Sequence, residues 1–154
     1  MKTKFLVVLL AGIVAVSALA MEMKPEHLIK FRQSGYTFMA WNMGRIKTQV
    51  EAPATYDKNE VTSAANVIAA IANSGMGALY APGTDKGSGW HETKVKPALF
   101  TDAEEVKKVA IAFSQEASEL AKVAAAGDPA ATKAQYEKVG KACKTCHEKF
   151  KFKE

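Results

Sequence analysis

Two cysteines and a histidine near the end of the sequence, in the run Cys143-Lys144-Thr145-Cys146-His147, are the side chains best placed to do chemistry. Cys-x-x-Cys-His is the pattern by which c-type haem is attached covalently. The spacing has a geometrical reason. On a helix, positions i and i+3 share a side, so Cys143 and Cys146 can each form a thioether to one vinyl group of a single porphyrin. His147, four positions after Cys143, falls on the same side and can offer an imidazole nitrogen to the iron as a metal ligand.

Three other uses of these residues fit less well. A redox dithiol of the thioredoxin kind opens a helix after a strand, and no strand-like run precedes this one. A zinc site needs about four ligands. The sequence has two cysteines in all, and its other histidines, His27 and His91, stand in unrelated contexts. A disulfide between residues three apart on a helix would be strained. Haem attachment is the reading that uses all three residues.

Residues 1–20 read as a secretory signal: Lys2 and Lys4, an apolar run from Phe5, then Ala18-Leu19-Ala20 as a cleavage site. The uncharged stretch is short of the about 20 residues that a membrane span needs, although a retained anchor is the alternative. The expected division is a leader over 1–20 and one domain over 21–154, with no membrane attachment after cleavage. Export agrees with the motif, because c-type haem is attached outside the bacterial cytoplasm, and the expected location is the periplasm.

The formal charge of +5 falls to +3 once the two leader lysines are removed, too little to suggest nucleic acid. Its distribution is uneven. Lys138, Lys141, Lys144, Lys149, Lys151 and Lys153 crowd the haem-bearing end. They form either a solvated helix face or a basic rim that steers an acidic redox partner protein towards the haem edge.

Four amphipathic helices must position the motif. In the first, from about Pro25 to Val50, Ile29, Arg32, Tyr36, Met39, Met43, Ile46 and Val50 recur at spacings of three and four. Arg32 and Tyr36 are polar groups on an otherwise apolar stripe. Leu28, Phe31, Phe38 and Trp41 form a second apolar set, which either packs on other helices or makes a homodimer interface. After Ala52-Pro53-Ala54-Thr55-Tyr56, Asp57 and Glu60 cap a second helix with the stripe Val61, Ala64, Ile68, Ile71 and Gly75.

A long connection from Tyr80 to Phe100 is expected to cover a haem edge, with His91 a surface residue within it. Thr101 and Glu104 open the third helix, whose stripe is Val106, Ala110, Phe113, Ala117, Leu120 and Ala124. Gly127 ends it. Asp128-Pro129 opens the last helix, in which Tyr136, Val139, Cys143, Cys146 and Phe150 recur at three and four. Both cysteines thus fall on the inward stripe. The fold class predicted is all-α, an antiparallel up-down-up-down four-helix bundle with a covalently bound haem.

The C-terminal Cys-Lys-Thr-Cys-His, the early Arg32-Gln33-Ser34-Gly35-Tyr36 and the mid-chain Ala81-Pro82-Gly83-Thr84 together make the sequence similar to the bacterial cytochromes c′ over the whole of residues 21–154. The resemblance implies a single haem c through Cys143 and Cys146 and a proximal ligand in His147. It also implies that Arg32 and Gln33 contact the haem propionates, and it matches Lys151 to a basic residue beside the proximal imidazole. Tyr36 matches the residue over the distal face of the iron. Relatives with methionine there are low-spin electron carriers, whereas a phenol is a poor ligand at neutral pH. Five-coordinate, high-spin iron is therefore expected, binding nitric oxide or carbon monoxide, in a homodimeric protein that is no enzyme. The alternative is a low-spin electron-transfer cytochrome with Met39 as its distal ligand.

Overall fold

A computed structural model describes residues 23–153; the leader expected over 1–20 lies outside the described residues. Helix α1 (Pro25–Glu51) has proline in its first turn, as the sequence predicts. Helix α2 (Lys58–Ala72) is capped by Asp57, whose carboxylate accepts from the amides of Asn59 and Glu60 at 2.8 and 3.2 Å. Gly75, expected on the stripe of this helix, lies beyond its end at φ 80°, in the left-handed region that glycine adopts without cost. A tight turn over Met76–Leu79 follows.

The third long helix begins differently from the expectation. A single helical turn, α3 (Ala98–Thr101), comes first. The cap of α4 (Ala103–Ala126) is then Asp102, accepting from Glu105 N at 3.2 Å, rather than Thr101. A carboxylate one residue later outcompetes the hydroxyl for the same free amides. Helix α5 (Pro129–Phe150) opens as expected, with Asp128 accepting from Ala130 N and Ala131 N.

Helix α1 packs on α2, α2 on α4, α4 on α5, and α5 closes the ring on α1. The four long helices make the expected antiparallel bundle. Ile46, Val61, Ile68, Leu120 and Val139 are fully buried at its centre, each contributing roughly 1.5–3 kcal/mol by leaving water. Ala64, Ala65, Ala117 and Ala124, all fully buried, let the helices approach closely.

Three stripe positions differ from the sequence reading. Val109 is buried on α4 while Ala110 is exposed. Leu28 turns inward, whereas Phe31, Phe38 and Trp41 remain about half exposed. Asn42 is fully buried between these sets, its amide donating to Phe38 O and its carbonyl accepting from Arg45.

The connection between α2 and α4 is tied down at both ends. Near α5 it forms two antiparallel rungs, Lys96 N to Phe150 O and Phe152 N to Lys94 O, both 2.8 Å. At the other end it lies against α1 so closely that a Cβ on Gly89 would stand 2.6 Å from Lys30 N and from Gln33 Oε1. Only glycine fits there.

Candidate haem-attachment site

Cys143 and Cys146 sit within α5, both free thiols and both half-buried. Burial raises both thiols above the ordinary range. That is the reverse of a reactive dithiol, whose thiolate is stabilised, and a mid-helix position lacks the helix N-terminus that would lower it. Among the described residues no three His, Cys, Asp or Glu side chains cluster as metal ligands, so the zinc reading has no donor set.

His147 follows on the last turn of α5 and is exposed. Partial loss of water around its ring, and then the nearby charge of Lys151, lower its pKa. Both causes favour the neutral imidazole that a metal requires. Lys151 caps α5, donating its backbone N–H to His147 O at 3.0 Å. The cation that the resemblance matches to the proximal side is therefore next to the imidazole.

Tyr36 reaches this region from α1. Its phenol lies close enough to Cys143 and Cys146 to sense both thiols, and loss of water around its oxygen raises its pKa. The ring is 40 % exposed, far more open than its stripe neighbours Arg32 at 2 % and Met39 at 5 %. A half-exposed aromatic ring on α1 and two half-buried thiols on α5, within electrostatic reach of one another, are the groups that a flat apolar ring bonded there would meet. The donor set fits haem.

Met39 has a different fate. It packs in the central core with Ile46, Val61, Ile68 and Leu120, a flexible side chain filling the interior. The reading that makes it a distal ligand is not favoured by this placement.

Arg32 does not snorkel, and among the described residues no ion pair involves it. Its guanidinium is buried and donates to Thr84 Oγ1 at 2.9 Å, to Thr84 O, to Thr93 Oγ1 at 2.8 Å and to Leu79 O at 3.3 Å. Burial lowers its pKa, and nearby Tyr80, Tyr36 and Asp85 oppose that shift. Gln33 holds the same connection from outside: its amide nitrogen donates to His91 O at 2.9 Å, and its oxygen accepts from Trp90 N at 2.7 Å. His91 is exposed, as expected.

The sequence reading missed Tyr80, Thr84 and Thr93. Tyr80 donates its hydroxyl proton to Tyr36 Oη at 3.0 Å, and the Arg32 guanidinium carbon lies 4.6 Å from the centre of its ring. Desolvation raises the Tyr80 pKa strongly. The available signal was positional, since Tyr80 immediately precedes the Ala81-Pro82-Gly83-Thr84 run that carries part of the resemblance.

Known proteins match this arrangement closely. A family model described as Cytochrome C' covers residues 27–151. Cytochrome c′ of Rhodocyclus tenuis is 58 % identical over 131 residues, spanning 85 % of this chain and 98 % of the relative. A solved cytochrome c′ described as having an unusual ligand-controlled dimer dissociation is 53 % identical, with a TM-score of 0.81 over 85 % of this chain and 98 % of its own. A ferrous cytochrome c′ variant from Alcaligenes xylosoxidans with bound NO is 32 % identical, with a TM-score of 0.75 over 85 % of this chain and 98 % of its own. By sequence, fold and donor set alike, this chain belongs to the cytochrome c′ family, and its cofactor is a c-type haem held covalently through Cys143 and Cys146.

Proposed function

We propose that the chain is a periplasmic haem protein whose iron is held from one side by His147 and takes up nitric oxide or carbon monoxide on the side of Tyr36. It also exchanges electrons with a partner protein. The observation that carries this reading is the placement of Tyr36, rather than a methionine, opposite the haem-bearing cysteines, with Met39 packed in the core. A relative solved with bound NO supports the choice of ligand.

Haem supplies an iron that binds small gases and changes oxidation state; the chain's own residues set the conditions. Cys143 and Cys146 would hold the haem on α5, a rigid element. His147 presents a neutral nitrogen, and Lys151 lowers that nitrogen's basicity through its charge. Arg32, a buried cation held in place by the connection, provides a fixed positive charge beside Tyr36 and Tyr80 for a propionate. Gln33 fixes the segment around Trp90 and His91 next to it. Tyr36 crowds the remaining face with a phenol that stays protonated at neutral pH and ligates poorly. Binding and electron exchange, not catalysis, are the roles these residues fit.

The absorption spectrum of the ferric holoprotein tests the reading. A high-spin pattern that changes on addition of nitric oxide to the ferrous form is expected; a low-spin pattern with sulfur opposite the imidazole overturns it.

The outer face of α1 supports a homodimer. Phe31, Phe38 and Trp41 are 54, 49 and 56 % exposed, and the last two rings stack at 5.5 Å. A relative described by its ligand-controlled dimer dissociation agrees with this. Sedimentation equilibrium of the holoprotein at micromolar concentration should give twice the monomer mass; a monomer overturns the assembly.

A further inference from the structure

Tyr36 and Tyr80 come from different elements, 44 positions apart; their hydroxyls meet at 3.0 Å, within electrostatic reach of Cys146. Tyr80 is the better anchored of the two. Its ring lies under Arg32 at 4.6 Å and tilts against Phe100 at 6.5 Å. Arg32 is itself locked to the connection through Thr84, Thr93 and Leu79. Tyr36, by contrast, is 40 % exposed, and among the described residues its hydroxyl accepts a hydrogen bond from Tyr80. Thus the more exposed partner is held by the better anchored one.

We propose that Tyr80 is a positioning residue that governs ligand entry. Its hydroxyl holds the Tyr36 ring over the haem-attachment face of α5, so a diatomic gas gains access only when that bond opens. The proposal rests on the gas-site reading above. Carbon monoxide is a poor hydrogen-bond acceptor and offers the freed hydroxyl little in return, so breaking the bond adds to the barrier to entry.

The test is the association rate of carbon monoxide with the ferrous holoprotein in Tyr80→Phe, Tyr36→Phe and the double variant. Phenylalanine at 80 keeps the contacts with Arg32 and Phe100 and removes only the hydroxyl. Loss of a hydrogen bond between neutral groups corresponds to about a five-fold faster rate in each single variant. The double variant should be no faster than either single one, because one bond is lost in all three. In the ligand-free Tyr80→Phe holoprotein, the 13C-labelled ring of Tyr36 should also shift and narrow as it gains freedom. An unchanged rate in Tyr80→Phe beside a faster Tyr36→Phe sinks the proposal, as do multiplying effects in the double variant. No carbon monoxide binding in the unaltered protein, nor in Tyr36→Ala with that face opened, sinks instead the gas-site reading beneath it.

Discussion

Arg32 on α1 donates to both the hydroxyl and the carbonyl of Thr84, 52 positions along the chain, and both residues are buried. This pair fastens the connection between α2 and α4 to the helix that carries Tyr36. Thr84→Ala should destabilise the holoprotein by about 1–3 kcal/mol, because a buried charged donor loses a partner. Arg32→Lys should not preserve stability, since a single ammonium cannot reproduce the fork that serves Thr84 and Thr93 together. Urea denaturation of the three proteins checks both outcomes.

Gly89 predicts a second cost. An added methyl group would meet the backbone of Lys30 at 2.6 Å, where nothing flexible can give way. Gly89→Ala should cost about 1–3 kcal/mol by overpacking. It should also release the segment that Gln33 holds, which the fluorescence of Trp90 and its hydrogen exchange will report.

Met39→Leu should leave the ferric and ferrous spectra unchanged and cost less than about 1.5 kcal/mol, as a volume-conserving exchange inside the core. A change of spin state would show that Met39 reaches the iron.

Glu105 and Lys149 join α4 to the end of α5 at 2.6 Å. The hydrogen bond from Lys149 lowers the Glu105 pKa, and Glu105 in turn raises that of Lys149. With a depressed folded-state pKa, Glu105 contributes stability above the usual carboxylate range and loses it as pH falls through the folded value. Lys149, with a raised one, contributes below the usual lysine range and loses it as pH rises through its folded value. The contribution is therefore present at neutral pH. Glu105→Gln should lower stability slightly at pH 7, and the difference should fade as pH falls through the folded Glu105 value, with the neutral-pH effect shrinking in salt.

The helices were legible because their signals are local. Asp57 and Asp128 lie beside the amides they cap, and Pro25 and Pro129 stand where a first turn needs no donor. The start of α4 was misread because Thr101 and Asp102 both suit a cap, and only the extra turn of α3 decides between them. Leu28 and Trp41 illustrate the same limit in the core. Helical spacing puts both off the main stripe, and the angle at which α1 packs determines that one is buried and the other is not.

By itself the sequence determined the covalent chemistry, because two thioethers fit within one helical turn and need no help from distant residues. Tertiary structure alone decided the surroundings of that turn: that Arg32 is satisfied by Thr84, Thr93 and Leu79, that Met39 faces the core, and that Tyr80 meets Tyr36. Such contacts join residues many turns apart. Their partners are selected by how the helices pack and where the long connection is fastened, and helical periodicity carries no record of either.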